Sequence, residues 1–136
     1  MSLRAYQIAC FLALASFSAA CIEDRTRLPP DQAFLGHWVR DSVGNHYYIS
    51  QRGITETTPA GRVLQQGFYT IVKQVDLLYR ELTIEARFEA YSVQRVFRFA
   101  PDGRAVLEVS RLNPLTSPLP ALRPLSWTYV DNRQQP

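Results

Sequence analysis

The most regular feature of the chain is an alternation of apolar and polar positions in its second half. In "ELTIEARF", residues 81–88, every second residue is apolar. A period of two residues is typical of a strand with one buried face and one solvated face. In "YSVQRVFRFAPDGRAVLEVSR", residues 91–111, two such runs flank Pro101-Asp102-Gly103, a sequence suited to a tight turn. This segment therefore predicts a hairpin.

Other short β-rich runs extend the same pattern over the rest of the chain. They lie at residues 36–42, 45–50, 54–58, 67–75 and 125–131, with turns at 43–45 and 59–61. A helical period is missing, apart from one turn at 30–35. Short strands at roughly 8–12-residue spacing predict an all-β domain, a sandwich or a barrel. Because sequence neighbours can pair as a meander, we expect an antiparallel up-and-down barrel of seven or eight strands over 34–131, before a tail at 132–136.

The N-terminal residues have the pattern of an export signal. Arg4 precedes an apolar run at residues 8–17, and small residues follow at 18–20. These features are typical of a cleaved signal peptide, whereas a membrane-spanning helix needs about 20 apolar residues. A buried core helix is the alternative. The change to "IEDRTRLPPDQ" favours the signal, and predicts a polar tether over 21–33.

Cys21 directly follows this signal. Ser18-Ala19-Ala20-Cys21 resembles the lipobox of bacterial lipoproteins, with Ser18 where leucine is usual. The resemblance implies cleavage before Cys21 and a lipid anchor on it, and Ile22 in the next position implies the outer membrane. Ordinary cleavage to a soluble secreted or periplasmic protein is the alternative. It would leave a lone exposed thiol in an oxidising compartment, which is unusual, so we favour the lipoprotein.

Composition excludes several classes of protein. The chain has 15 basic and 12 acidic residues, and these alternate without a basic stripe. We therefore expect no nucleic-acid partner. His37 and His46 are the only histidines, and the first hairpin could bring them together, but the residues needed to complete a zinc site are lacking. No catalytic triad, nucleophile elbow or phosphate loop is present. We expect no cofactor, no metal and no enzymatic activity.

Arg95 interrupts an apolar strand face that includes Tyr91 and Phe97. A guanidinium that points into a barrel must be paired or must face water. In an open cup it would bind the carboxylate or phosphate of an amphipathic ligand, with Tyr91 and Phe97 beside it. Two alternatives put Arg95 in solvent: a β-bulge near Gln94, or a position at the wet end of the strand.

The loop at residues 113–124 combines four prolines with leucines at positions 115, 119 and 122. The prolines exclude a central strand or a helix interior, and loops of this length are often functional. Leu115, Leu119 and Leu122 would dock on a partner protein or on lipid. Alternatively, they pack back over the barrel as a lid.

Gly36-x-Trp38 resembles the first motif of lipocalins and of small lipocalin-like lipoproteins of bacteria. Further matches are Gly67-Phe68-Tyr69, Leu82-Thr83-Ile84, the hairpin at 102–103 and Tyr129-Val130-Asp131. The resemblance implies that Trp38 plugs one end of the barrel, and the family also packs an arginine over this tryptophan. Because closure pairs the first strand with the last, Trp127 should lie beside Trp38.

These features together predict a non-enzymatic, lipid-anchored protein of the cell envelope. Its role would be that of an accessory or interaction subunit, with the 113–124 loop as its docking surface. A carrier of a small amphipathic or hydrophobic ligand in the barrel is the first alternative. An inhibitor of an extracytoplasmic hydrolase, acting through the same loop, is the second.

Overall fold

Eight antiparallel strands form a closed barrel in the computed structural model, whose described residues are 25–77, 80–111 and 124–136. The strands are β1 (Gly36–Arg40), β2 (His46–Ile49), β3 (Gly53–Thr57), β4 (Val63–Val75), β5 (Glu81–Phe88), β6 (Ser92–Phe99), β7 (Ala105–Arg111) and β8 (Leu125–Asp131). Each strand pairs with the next in sequence, and β1 pairs with β8. The predicted all-β, up-and-down barrel is confirmed, with eight strands.

The strand β4 differs most from its prediction. It begins at Val63 rather than at residue 67 and is 13 residues long. Its pairing with β3 ends at Gly53 and Phe68, while its pairing with β5 continues to Val75. Residues 70–75 of β4 therefore have a strand neighbour on one side only, and the β4–β5 hairpin extends past the rim formed by β3.

The direction of the strands defines two ends of the barrel. The capped end holds the start of β1 and residues 50–52, 76–77, 80, 100–104 and 132–136. The far end holds residues 41–45, 58–62 and 89–91.

The N-terminal segment covers the capped end. A 3-10 turn at Arg25–Arg27 and the helix α1 (Pro30–Ala33) belong to this segment, and Arg25, Pro30 and Ala33 are buried. Residues 25–33 were expected to belong to a polar tether, but they pack on the barrel. Proline at the first position of α1 is compatible with a helix because that N–H has no partner within the helix.

Trp38 lies in the core beneath α1, fully buried. Its indole N–H donates a hydrogen bond to the Phe34 carbonyl at 2.9 Å, which satisfies the only polar atom of the ring. The guanidinium of Arg25 lies 5.7 Å from the Trp38 ring and 3.5 Å from the Tyr129 ring. Arg25 thus occupies the position over the tryptophan to which the sequence assigned no residue.

Trp127 lies closer to the far end than was predicted. The strands β1 and β8 do pair, but a register irregularity between His37 and Trp38 puts Tyr129 opposite Trp38, and Trp127 opposite Arg40. The Trp127 ring stacks on Tyr47, with 4.1 Å between centroids.

Gly67 shows why one motif position needs glycine. A Cβ atom there would lie 2.4 Å from the Arg87 carbonyl oxygen and 2.6 Å from the Phe88 ring. Real Cβ atoms do not approach so closely, so only glycine lets β4 and β5 pack at this distance.

Candidate functional site

Arg95 lies inside the barrel. The inward residues of β6 are Val93, Arg95, Phe97 and Phe99, all buried, and Arg95 is only 6% exposed. The pairing of β6 with β5 and β7 runs without a register shift. The predicted bulge near Gln94 is therefore wrong, and so is the alternative that Arg95 lies at a solvated strand end.

Glu108 is the partner of Arg95 that the sequence analysis missed. It lies opposite Phe97 in the β6–β7 pair, and directly opposed residues of antiparallel strands point to the same face. Its side chain is 1% exposed, with Oε1 at 3.4 Å from the Arg95 Nε and Oε2 at 3.4 Å from the Arg40 Nη2. One carboxylate thus contacts two arginines.

Several buried N–H groups of these two arginines and of Trp127, whose ring lies 5.8 Å from the Arg40 guanidinium, have no hydrogen-bond partner among the described residues. They are Arg40 Nε, Arg95 Nε, Arg95 Nη1 and Trp127 Nε1. The Arg95 Nε lies near Glu108 without the alignment of a hydrogen bond. We call Arg40, Arg95 and Trp127 the donor cluster. A buried donor without a partner costs about 1–3 kcal/mol, so an acceptor placed here would be stabilised.

A second buried carboxylate, Glu56, already has its partners. It accepts hydrogen bonds from Tyr47 Oη at 2.7 Å, Asn45 Nδ2 at 3.0 Å and Gln65 Nε2 at 2.7 Å. Burial alone would raise the pKa of Glu56, but these hydrogen bonds and the charge of Arg40 outweigh it, and its pKa is lowered. Burial, followed by the hydrogen bond to Glu56, raises the pKa of Tyr47. Glu56 is therefore ionised, and its oxygens are occupied by neutral donors.

The other predicted ligand residues lie at different depths. Phe97 is fully buried, with its ring centroid 4.7 Å from that of Phe34 and 5.1 Å from that of Trp127. Phe97 thus belongs to the aromatic floor below Arg95. Tyr91 precedes β6 at the far end, is 42% exposed, and donates a hydrogen bond to Gln65 Oε1 at 3.0 Å.

Four predicted residues, Cys21, Leu115, Leu119 and Leu122, lie outside the described residues. The strands that flank the 113–124 loop are described: β7 ends at Arg111, and β8 begins at Leu125. Both of these positions are at the far end of the barrel, so the connection between β7 and β8 begins and ends there.

The first hairpin brings His37 and His46 together on the outer wall, as the sequence suggested it could. His37 Nε2 lies 2.6 Å from His46 Nδ1, and His37 Nδ1 lies 3.3 Å from Asp131 Oδ2. Burial lowers the pKa of His37, and the hydrogen bond and charge of Asp131 oppose this only in part. Among residues 25–77, 80–111 and 124–136, no group of three or more His, Cys, Asp or Glu side chains is arranged to hold a metal ion.

Comparisons with protein-family models, with curated proteins and with solved structures give no match for this chain. None of the helices in the described part of the chain is long and apolar enough to cross a lipid bilayer. The class that the described residues define is therefore a closed, eight-stranded, up-and-down β-barrel with a buried arginine–glutamate cluster.

Proposed function

We propose that this chain is a non-enzymatic, lipid-anchored envelope protein, related to the lipocalin-like lipoproteins, that binds the anionic group of a small amphipathic molecule inside its barrel. The donor cluster carries this proposal. Its four unpartnered N–H groups are all donors, and they are buried in an interior where a charge-assisted hydrogen bond is strong. The lipid anchor depends on Cys21 and its resemblance to a lipobox.

The neighbouring residues suggest how such a molecule would be oriented. Phe97 and Trp127 fill the barrel on the capped side of Arg95. Ala86, Phe88 and Val93 line it towards the far end, all of them buried. A ligand would therefore place its carboxylate or phosphate at the donor cluster, with its apolar body against these three side chains.

Calorimetric titration with decanoate and with decanol tests this proposal, because the two compounds share their apolar chain and differ in charge. Decanoate should bind at least about tenfold more tightly than decanol, since hydrogen bonds to charged groups contribute about 1.5–3 kcal/mol. The variant Arg95→Gln should weaken decanoate binding by about tenfold or more.

Arg98→Gln is the matched control. Arg98 lies on the same strand, points outward and pairs with Glu81 at 3.1 Å on the surface. This variant should bind decanoate as the unchanged protein does. Equal affinity for decanoate and decanol, or binding of neither, would contradict the proposal.

The accessory-subunit function is the second candidate, supported by the position of the loop ends at the far end. A photo-crosslinking residue at Leu119 should trap one discrete partner in cells, whereas the same residue at Val43, an exposed far-end position outside the loop, should not. A trapped and inhibited hydrolase would favour the inhibitor hypothesis. The absence of a crosslink specific to position 119 would contradict both functions.

A further inference from the structure

The N-terminal segment is fixed to the capped end at its first described residue. The Arg25 guanidinium donates a hydrogen bond to the Ala33 carbonyl and lies over the Tyr129 ring. An added Cβ at Gly103 would lie 3.1 Å from Arg25 atoms, so the two backbones are in close contact. Arg25 is therefore held against the barrel, and does not belong to a free tether.

Little chain separates this fixed point from Cys21. Only residues 22–24 lie between Cys21 and Arg25. A fully extended chain spans at most about 3.3–3.6 Å per residue, so the two Cα atoms are at most about 14 Å apart. A lipid on Cys21 would therefore keep the capped end at the membrane and direct the far end away from it.

The capped end carries more positive charge than the far end. The described residues of the capped end, 25–35, 50–52, 76–77, 80, 100–104 and 132–136, contain six arginines and three aspartates. Apart from the connection between β7 and β8, the far-end segments 41–45, 58–62 and 89–91 contain one arginine and two acidic residues. Arg27, Arg52 and Arg104 are exposed at the capped end. Such an excess of arginine is complementary to anionic lipid headgroups.

The capped end also presents an apolar tip. Leu77, in the turn between β4 and β5, is 81% exposed. Ile71 and Val72, on the part of β4 that has no β3 neighbour, are 46% and 54% exposed. Exposed apolar side chains at the same end as exposed arginines suit the boundary between headgroups and acyl chains, where apolar burial and attraction to anionic lipid act together.

We propose that the capped end is a membrane-docking surface for anionic lipid bilayers. Arg27, Arg52 and Arg104 contact the headgroup phosphates, and Leu77 enters the interface. The far end, where β7 ends and β8 begins, then faces away from the membrane that holds the anchor. This inference rests on the lipid anchor in the proposed function, and it adds the orientation of the barrel and a second contact with the bilayer.

Depth-dependent quenching in vesicles tests the orientation. The lipidated protein, with its anchor verified by intact mass, is reconstituted in phosphatidylethanolamine–phosphatidylglycerol vesicles that contain nitroxide lipids. A fluorophore attached to Leu77→Cys should be quenched at least about twofold more than one attached to Val43→Cys. Val43 is the matched control because it is 55% exposed at the far end. Equal quenching, or stronger quenching at position 43, would overturn the proposal.

Charge reversal tests the role of the arginines. The variant with Arg27→Glu, Arg52→Glu and Arg104→Glu should lose most of the quenching at position 77, while Arg62→Glu at the far end should not. Replacing phosphatidylglycerol by phosphatidylcholine should have the same effect as the triple substitution. Quenching that persists in both cases would overturn the anionic docking surface.

The outcomes separate this proposal from the function on which it rests. A mass without lipid on Cys21 would overturn the anchor and the docking surface together. A lipidated protein without selective quenching at position 77 would overturn the docking surface alone. Decanoate binding, measured by calorimetry, depends on neither result.

Discussion

Glu108 is the residue on which the interior of the barrel depends most. It is the acidic partner of Arg95 and Arg40, and its carboxylate is 1% exposed. Taking three charged groups out of water is costly, and their mutual attraction offsets the cost only while the carboxylate is present. The intact cluster therefore contributes little to the free energy of unfolding, whereas the loss of its carboxylate should lower that free energy strongly.

Glu108→Gln should destabilise the fold by about 3–5 kcal/mol, because it leaves the buried guanidinium of Arg95 without its negative partner and removes the carboxylate that Arg40 contacts. Urea unfolding followed by circular dichroism measures the change. Glu85→Gln serves as the control, since Glu85 and Arg87 form an exposed pair that should contribute at most about 1 kcal/mol. A loss no larger than that of the control would contradict this account of the cluster.

The sequence located one member of this cluster and not the other. Arg95 was conspicuous because it interrupts an apolar face. Glu108 was not, because "AVLEV" has apolar residues on both faces, and either face could have been the buried one. The register decides between them: Ala100 N donates to Ala105 O across the turn, which places residue 97 opposite residue 108. Counting back from the turn could have found Glu108.

Among the elements, the N-terminal segment does more than its sequence suggested. Its polar composition predicted a tether, yet Arg25 contacts Gly103, Ala33 and Tyr129. Composition could not reveal this, because arginine is counted as a charged residue although its aliphatic stem and the faces of its guanidinium can pack against other side chains. The segment thus closes one end of the barrel with a cation over aromatic rings.

Arg25→Ala should therefore destabilise the fold by about 2–3 kcal/mol, the sum expected for a partly desolvated cation–π contact and charged hydrogen bonds. The midpoint of urea unfolding is the measurement. Arg62→Ala, at an exposed position of the far end, should change it by less than about 0.5 kcal/mol. Equal effects of the two substitutions would show that Arg25 does not contribute to the cap.

The pair of β1 and β2 makes stability depend on pH through His37. Burial lowers its pKa in the folded state below the ordinary 6.5. As the pH falls through 6.5, the unfolded chain therefore binds a proton that the folded chain does not, and stability decreases. The pKa of Asp131 is lowered from 3.8, so its titration lies below this window.

Unfolding free energies measured between pH 8 and pH 5 should therefore decrease in the unchanged protein. The decrease should be smaller in His37→Gln. The substitution also changes the free energy of unfolding at pH 8, but only the dependence of that free energy on pH reports the titration of His37. If the free energy of unfolding depended on pH identically in the two proteins, residues other than His37 would be responsible for the pH dependence.

For the molecule as a whole, the two-residue period and the strand spacing predicted an all-β sandwich or barrel, and the pairing of sequence neighbours then favoured the barrel that is observed. The period located β5 at 81–88 and β8 at 125–131, since the residues of both strands alternate between more and less buried positions, with the buried Thr83 as the exception in β5. It missed residues 63–66 of β4, where both faces are partly exposed and no alternation develops. It also could not place Trp127, because the register between β1 and β8, which puts Tyr129 opposite Trp38, sets that position.

Closure of the barrel makes its two ends parts of one cooperative unit. Trp38 reports on the capped end and Trp127 on the layer nearer the far end, and both are fully buried. The strands β1 and β8 pair although most of the chain lies between them in sequence. We therefore expect that neither end unfolds without separation of these two strands, and that formation of such distant contacts is slow.

The variants Trp38→Phe and Trp127→Phe leave one tryptophan reporter each. In each variant the tryptophan fluorescence and far-ultraviolet circular dichroism should give the same urea midpoint, with refolding in milliseconds to seconds. Fluorescence of Trp127 that changes at lower urea than circular dichroism in Trp38→Phe would mean that the far end opens independently of the β1–β8 pair.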